Sequence, residues 1–266
     1  MAPVRFAALQ MVSRSEVAPN LEAAGRLIAE AAAAGARLVA LPENFYIIGR
    51  HETDKVKVKE KDGEGPIQRF LADAAKKNKV WIVGGTAPIA CADESRIRSA
   101  CLVYDDAGRR VARYDKMHLF RFDEERHDES RTLQPGERPM AIDSPFGRLA
   151  LSICYDVRFP ELYRSLGTFD VMFVPSAFTV PTGRAHWETL LRARAIENLA
   201  YVVAPAQGGV HDGGRATYGH TMIVDPWGEI LGVRPEGEGM VLAEIDSARI
   251  HKVRESLPAL TNRRTI

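Results

Sequence analysis

Residues 38–45 read LVALPENF, and residues 171–178 read VMFVPSAF. In each, four apolar residues run up to a proline, and polar or small residues follow. A short apolar run bounded by turn residues has the form of a buried strand. The shared strand-then-proline form hints at an internal pseudo-repeat, so the chain reads as two similar halves.

The elements on either side alternate. Upstream, RFAALQM (5–11) is strand-like, and Asn20 precedes LEAAGRLIAEAAAAG (21–35). There Leu21, Ala24, Ile28 and Ala31 keep a helical stripe, and Gly35 fits the exit. Pro66 opens a second helix, PIQRFLADAAKKNK (66–79), and VWIVGG (80–85) follows as a strand. SACLVYDDAGRRVARYDKMHLF (99–120) reads as two strands around an Asp-Ala-Gly turn. In the second half RLALSIC (148–154) is a strand, FPELYRSLG (159–167) a short helix and HWETLLRARAIENL (186–199) a longer one. AYVVAPAQ (200–207) is a strand, and HTMIVDPWGEILGV (220–233) a hairpin turning at Pro226-Trp227-Gly228. MVLAEID (240–246) is a last strand before a helix that begins near Ser247. Residues 121–147 are a polar, turn-rich functional loop, and GGVHDGGRATYG (208–219) is a mobile or tightly turned loop that fits no phosphate-binding template. No Pro/Gly/Ser-rich linker divides the chain. The expectation is one α/β domain over residues 1–266, with sheets covered by helices.

Composition excludes several function classes. The 36 basic and 35 acidic residues leave a formal charge of +1, which gives no electrostatic case for nucleic acid or an anionic membrane as partner. The first residues lack the basic-then-apolar pattern of a signal peptide, and no apolar run approaches the roughly 20 residues that cross a bilayer. Three cysteines, Cys91, Cys101 and Cys154, are an odd number without metal-type spacing. They are expected to be reduced thiols of a cytoplasmic protein, with no metal bound.

In open α/β sheets, ligands sit beyond the carboxyl ends of strands. The polar residues at those ends are Glu43 after LVALP, Lys116 after VARYD, Cys154 after LALSI and Ser176 after VMFVP. An acid, an ammonium and a thiol would then face one cleft. A thiol there can act as a nucleophile if a cation or a helix N-terminus favours its ionisation, and it is a core residue otherwise. Glu43 could move the protons of such a reaction, and Lys116 could stabilise an oxyanion. His118, His186, His211 and His220 compete for the role of base, so a Cys–His pairing stays open at this point. Arg158 could select a substrate carboxylate or form a salt bridge with Glu161.

The motifs LPENF, YDKMHLF and SICYDVRFPELYR, in that order, resemble those of the nitrilase or carbon–nitrogen hydrolase superfamily. PSAF, GRAHWETLLRARAIEN, YGHTMIVDPWGEIL and LPALTNRR extend the resemblance over nearly the whole chain. Within that superfamily the combination looks most like the deaminated glutathione amidases, with the ω-amidases acting on 2-oxoglutaramate as the neighbouring group. The resemblance implies a four-layer α-β-β-α sandwich whose subunits pair into a homodimer or higher homo-oligomer. It implies Glu43 as general base, Lys116 as cationic stabiliser, Cys154 as nucleophile and no cofactor. A second active-site glutamate is implied in the loop after the lysine; HDESRTLQPG (127–136) points to Glu129, although Asp123, Glu124, Glu125 and Asp128 crowd the same stretch. Tyr155, through its backbone N–H, and Arg158, Ser176 and Phe178 are the expected substrate-binding residues. The substrate implied is a small anionic amide carrying a 2-oxo acid end, with Arg158, Arg184 and Arg215 near the cleft motifs. Asn44, directly after the glutamate, is a local departure at a position where relatives often carry a small residue or another polar one.

Overall fold

The computed structural model describes residues 2–122 and 127–264. Asp123, Glu124 and Glu125 therefore lie outside the described residues. The first half contains β1 (Val4–Met11), α1 (Val17–Ala33), β2 (Leu38–Ala40), α2 (Asp54–Lys57), α3 (Pro66–Asn78), β3 (Trp81–Val83), β4 (Ala87–Ala90), β5 (Ile97–Tyr104) and β6 (Arg110–Asp115). A two-stranded ribbon, β7 (Arg121–Phe122) and β8 (His127–Asp128), leads into the second half. That half contains β9 (Met140–Ser144), β10 (Gly147–Leu151), α4 (Pro160–Ser165), β11 (Val171–Phe173), α5 (Val180–Asn198) and β12 (Tyr201–Ala204). It closes with β13 (Ala206–Val210), β14 (Ala216–Tyr218), β15 (Thr221–Val224), β16 (Ile230–Arg234), β17 (Gly239–Ile245) and α6 (Ser247–Ser256).

Two sheets carry these strands. One follows the order β14-β13-β1-β2-β3-β5-β4, with β17 also on β1 and β6 also on β5; the other runs β16-β15-β12-β11-β10-β9. The strands at the centre of both sheets are parallel, β1 to β2 to β3 and β10 to β11 to β12. Their side chains are buried on both faces, so they read as unbroken apolar runs rather than alternating ones. In β1, Phe6 and Ala8 enter the core between the sheets, while Ala7, Leu9 and Met11 meet α1 and α3. In β2, Leu38 and Ala40 face the other sheet, and Val39 faces the helices. On the far side of the second sheet, Leu162 and Tyr163 of α4 and Trp187, Leu191 and Ala195 of α5 complete the core. The result is the four-layer α-β-β-α sandwich.

Several expectations change, and the stretch 121–147 read as a loop carries β7, β8 and β9. Helix α1 starts at Val17, before Asn20, whose side chain instead accepts from the Arg14 N–H at 2.7 Å and donates to the Arg14 and Tyr46 carbonyls. AYVVAPAQ is two strands: β12 belongs to the second sheet and β13 to the first, and Pro205, which cannot donate to a ladder, marks the crossing. GGVHDGGRATYG is largely the paired strands β13 and β14, with only His211–Arg215 turning between them. No described helix is long and apolar enough to cross a membrane.

Candidate active site

The strand ends deliver the polar residues as topology requires. After β2 the chain passes Pro42 and presents Glu43, 2% exposed. Gly85 permits the close fit beneath it, because a Cβ there would lie 2.1 Å from the Pro42 carbonyl oxygen, at a φ of +56°. Asn44 follows at φ 55°, a left-handed conformation that asparagine tolerates, with its N–H donating to Thr86 Oγ1 at 2.9 Å. Lys116, fully buried, comes one residue after β6. Cys154 lies beyond β10, and opens the 3₁₀ turn Cys154–Arg158 at φ 49°. A non-glycine residue in that region is strained and persists only where its surroundings enforce it. Here its N–H donates to the Pro175 carbonyl at 2.9 Å, fastening the turn to the end of β11.

Lys116 Nζ stands between two carboxylates, 2.8 Å from Glu43 Oε1 and 2.7 Å from Glu129 Oε2. The other oxygen of Glu43 accepts from the Ala177 N–H at 2.9 Å, and Glu129 Oε2 from the Phe120 N–H at 2.7 Å. Burial opposes the Lys116 charge, but Glu129 and Glu43 outweigh it and hold this amine's pKa well above the usual lysine range. Burial first, then Glu43, push the Cys154 thiol well above its ordinary pKa, with Lys116 pulling the other way. Cys154 is thus held as a thiol in the same cleft as the Glu43 carboxylate. A reaction at its sulfur would require the proton to leave, and Glu43 is a carboxylate lining the same cleft.

The cleft has an empty volume of about 310 Å³. Glu43, Glu129 and Cys154 line it together with Phe120, Tyr155, Phe178, Thr179 and Arg215. Glu43, Glu129, Cys154, Tyr155 and Phe178 of the expected set thus come together around one space, with Lys116 directly behind. Ser176 does not join them: it is fully buried, its hydroxyl donates to the Val174 carbonyl, and Ala177 takes the place at the wall. Arg158 lies over the rings of Tyr155 and Phe178, 5.7 and 5.5 Å from their centroids, and beside His186 Nδ1 at 3.3 Å, not against Glu161.

The histidines are occupied elsewhere. His118 Nδ1 is 2.7 Å from Asp156 Oδ1 and its ring stacks on Phe159 at 3.8 Å. His211 is held between the Ser13 carbonyl and Thr217 Oγ1, and His220 Nδ1 meets the Tyr218 carbonyl. None of the four lines the cleft, which leaves a Cys–His pairing without geometric support.

Sequence reasoning missed Asp156 as a brace. Its completely buried carboxylate accepts from the Ile153 N–H at 2.8 Å, the Tyr114 hydroxyl at 2.7 Å and the His118 N–H at 3.1 Å. It therefore ties the cysteine turn to both sides of Lys116. An aspartate two residues after an apolar-run cysteine was the available signal, but its partners lie about 40 positions away.

Known proteins resemble this chain throughout. The carbon-nitrogen hydrolase family matches residues 5–255. A protein named deaminated glutathione amidase from Synechocystis sp. is 45% identical over 272 residues, 99% of each chain. The chloroplastic omega-amidase of Arabidopsis thaliana is 35% identical across 96% of this chain and 71% of its own. The crystal structure of the Caenorhabditis elegans NitFhit protein superposes with a TM-score of 0.91 at 38% identity, over 98% of this chain and 65% of that one.

Proposed function

Because the chain belongs to the carbon-nitrogen hydrolase family, we propose that it hydrolyses a small amide through a thioester on Cys154, within one hydrolase domain over residues 1–266. The observation that carries this reading is Lys116 held between Glu43 and Glu129 beside the buried Cys154 in one cleft.

The thiol attacks the amide carbon while Glu43 takes its proton. Negative charge thereby moves from Glu43 to the substrate oxygen, within reach of the Lys116 ammonium and the Tyr155 N–H. Well-placed donors of this kind contribute about 3 kcal/mol each to the transition state. Glu43 then protonates the leaving amine, the C–N bond breaks and the thioester remains. Water, deprotonated by Glu43, attacks the thioester; the acid departs and the thiol regains its proton. Glu129 keeps Lys116 in place throughout. No step calls on a metal or cofactor.

The full-length identity with the Synechocystis amidase favours deaminated glutathione as substrate, yielding 2-oxoglutarate and Cys-Gly. A second reading, an ω-amidase acting on 2-oxoglutaramate, draws on the Arabidopsis relative and on the small volume of the cleft. Both substrates are anionic. A homo-oligomer fits the exposed apolar group of Ile196, Trp227, Leu231 and Val233 on α5 and the β15–β16 hairpin, and the free thiols of Cys91, Cys101 and Cys154 suit the cytoplasm.

The deciding measurement is kcat/KM for deaminated glutathione and 2-oxoglutaramate side by side, with Cys154→Ala as the blank. Preference for the larger substrate by tenfold or more is expected. The reverse preference selects the ω-amidase reading, and wild-type rates in Cys154→Ala would sink the mechanism.

A further inference from the structure

Helix α5 meets the candidate site at two places. Thr179 and Thr182 at its start stand in the cleft wall, and Arg194 near its end reaches the turn that carries Cys154. Arg194 is 6% exposed, and its Nε–H donates to the Val157 carbonyl at 2.8 Å. Its Nη1 is paired with Glu197, one turn further along the helix. Its guanidinium lies over the Tyr163 ring, 5.9 Å from the centroid. The Tyr163 hydroxyl donates to Ser152 Oγ at 2.9 Å, and Ser152 Oγ donates to the Phe173 carbonyl at 2.7 Å. One guanidinium therefore bears on both flanks of the cysteine: on Val157 directly, and on Ser152 through Tyr163.

A buried cation is costly, and apolar side chains of similar volume often give equal or greater stability in place of a buried ion pair. What an apolar side chain cannot do is hold a carbonyl oxygen at a fixed point. The Val157 carbonyl belongs to a completely buried stretch of a 3₁₀ turn that opens on Cys154 in the left-handed conformation. Such a turn keeps its shape only where its surroundings enforce it. Asp156 and the bond from the Cys154 N–H to the Pro175 carbonyl fix its start, and Arg194 fixes its end from the helix layer. The Glu197 pairing at Nη1 orients the guanidinium so that Nε faces the carbonyl.

Resting on the amidase reading above, we infer that Arg194 is a positioning residue: oriented by Glu197, it sets the cysteine turn so that the Cys154 sulfur meets Glu43 and the substrate carbon together. Arg194 is not among the described residues that line the cleft, so its effect falls on turnover rather than on substrate binding.

The test uses whichever of deaminated glutathione and 2-oxoglutaramate the wild type turns over faster. Arg194→Met is expected to lower kcat about 30-fold, with KM changed by less than about twofold. Arg194→Lys keeps the charge without the planar fork and is expected to recover part of that loss. Should Arg194→Met unfold, Arg194→Met/Glu197→Gln, which leaves no unpaired carboxylate, carries the same test at a temperature where it stays folded. A second readout needs no turnover. Iodoacetamide labelling of Cys154, followed by peptide mass, should slow about tenfold in the methionine variant, because the misplaced thiol loses its proton less readily to Glu43. Labelling of Cys91, in a separate groove, keeps its wild-type rate. Slowed labelling of Cys154 alone, in a protein that hydrolyses neither amide, would end the amidase reading and keep this inference. Wild-type kcat and labelling in the folded variants would overturn the inference with the amidase activity intact. So would a loss carried by KM, or faster labelling of both cysteines, which marks a loosened fold.

Discussion

Cys154 and Asp156, two residues apart, divide one task. The cysteine occupies a left-handed conformation that its own side chain disfavours, and the aspartate braces that turn by accepting from the Ile153 N–H. Removing the carboxylate leaves the Ile153 N–H, the Tyr114 hydroxyl and the His118 N–H buried without an acceptor, at about 1–3 kcal/mol each. Asp156→Ala is therefore expected to lose at least about 3 kcal/mol of stability in urea unfolding and to lower kcat by about 100-fold at temperatures where it stays folded. Asp156→Asn, which retains one acceptor oxygen, should fall between the two. Equal kcat in all three proteins would show that the turn holds the thiol in place without help. Glu43 and Cys154 could be placed from the sequence because each follows a short apolar run, and Lys116 because it follows the strand RVARYD. Asp156 could not, because its meaning comes from Tyr114 and His118, which are near it only after folding.

At the scale of elements, α5 and β14 meet at a point with no spare room. A Cβ on Gly183 would lie 2.2 Å from the Tyr218 ring, which stacks on His220 at 3.9 Å. Gly183→Ala must push β14 away from the start of α5, and so disturb the pairing of Thr217 with Thr179 in the cleft wall. A stability loss of about 2 kcal/mol is expected, with a rise in KM larger than any change in kcat; thermal melts and steady-state kinetics check both. The same region marks the limit of reading elements from sequence. Apolar runs located β1, β2, β3, β11 and the helices, since burial on both faces or one stripe leaves a periodic trace. The crossing at Pro205 left no trace beyond the proline, as β12 and β13 are both buried and apolar at their adjoining ends. Met140–Ser144 and Ala87–Ala90 pair at sheet margins, where partial exposure and short length blur the pattern.

At the scale of the molecule, His211 links regions distant in sequence. Its Nδ1 faces the Ser13 carbonyl, so Nδ1 carries the proton and Nε2 accepts from Thr217. Ser13 and Gln207 bond one another, and Gln207 donates to the Glu43 carbonyl. Burial lowers the His211 pKa below the ordinary histidine value, against a smaller opposing pull from the Ser13 carbonyl. A depressed histidine pKa means that the unfolded chain takes up the proton first. The contribution is present above the unfolded value and is lost as pH falls through it toward the folded one. The melting temperature should decline from pH 7 to pH 5, and His211→Asn should flatten that decline. The carboxylates with lowered values, such as Asp105, exert their effect at lower pH. An undiminished slope in the variant would assign the acid sensitivity to other groups.

Strand β1 lies within its sheet with β2 on one side and β17 on the other, paired from Val4 with Ile245 to Gln10 with Gly239. On the ribosome, β1 is made long before β17 exists. Until then a strand buried on both faces in the native state has an open edge, with backbone donors and acceptors ready to pair with any passing chain. The order of synthesis therefore opposes the order of the sheet. The nascent protein depends on staying shielded until its last strand arrives to close the seam.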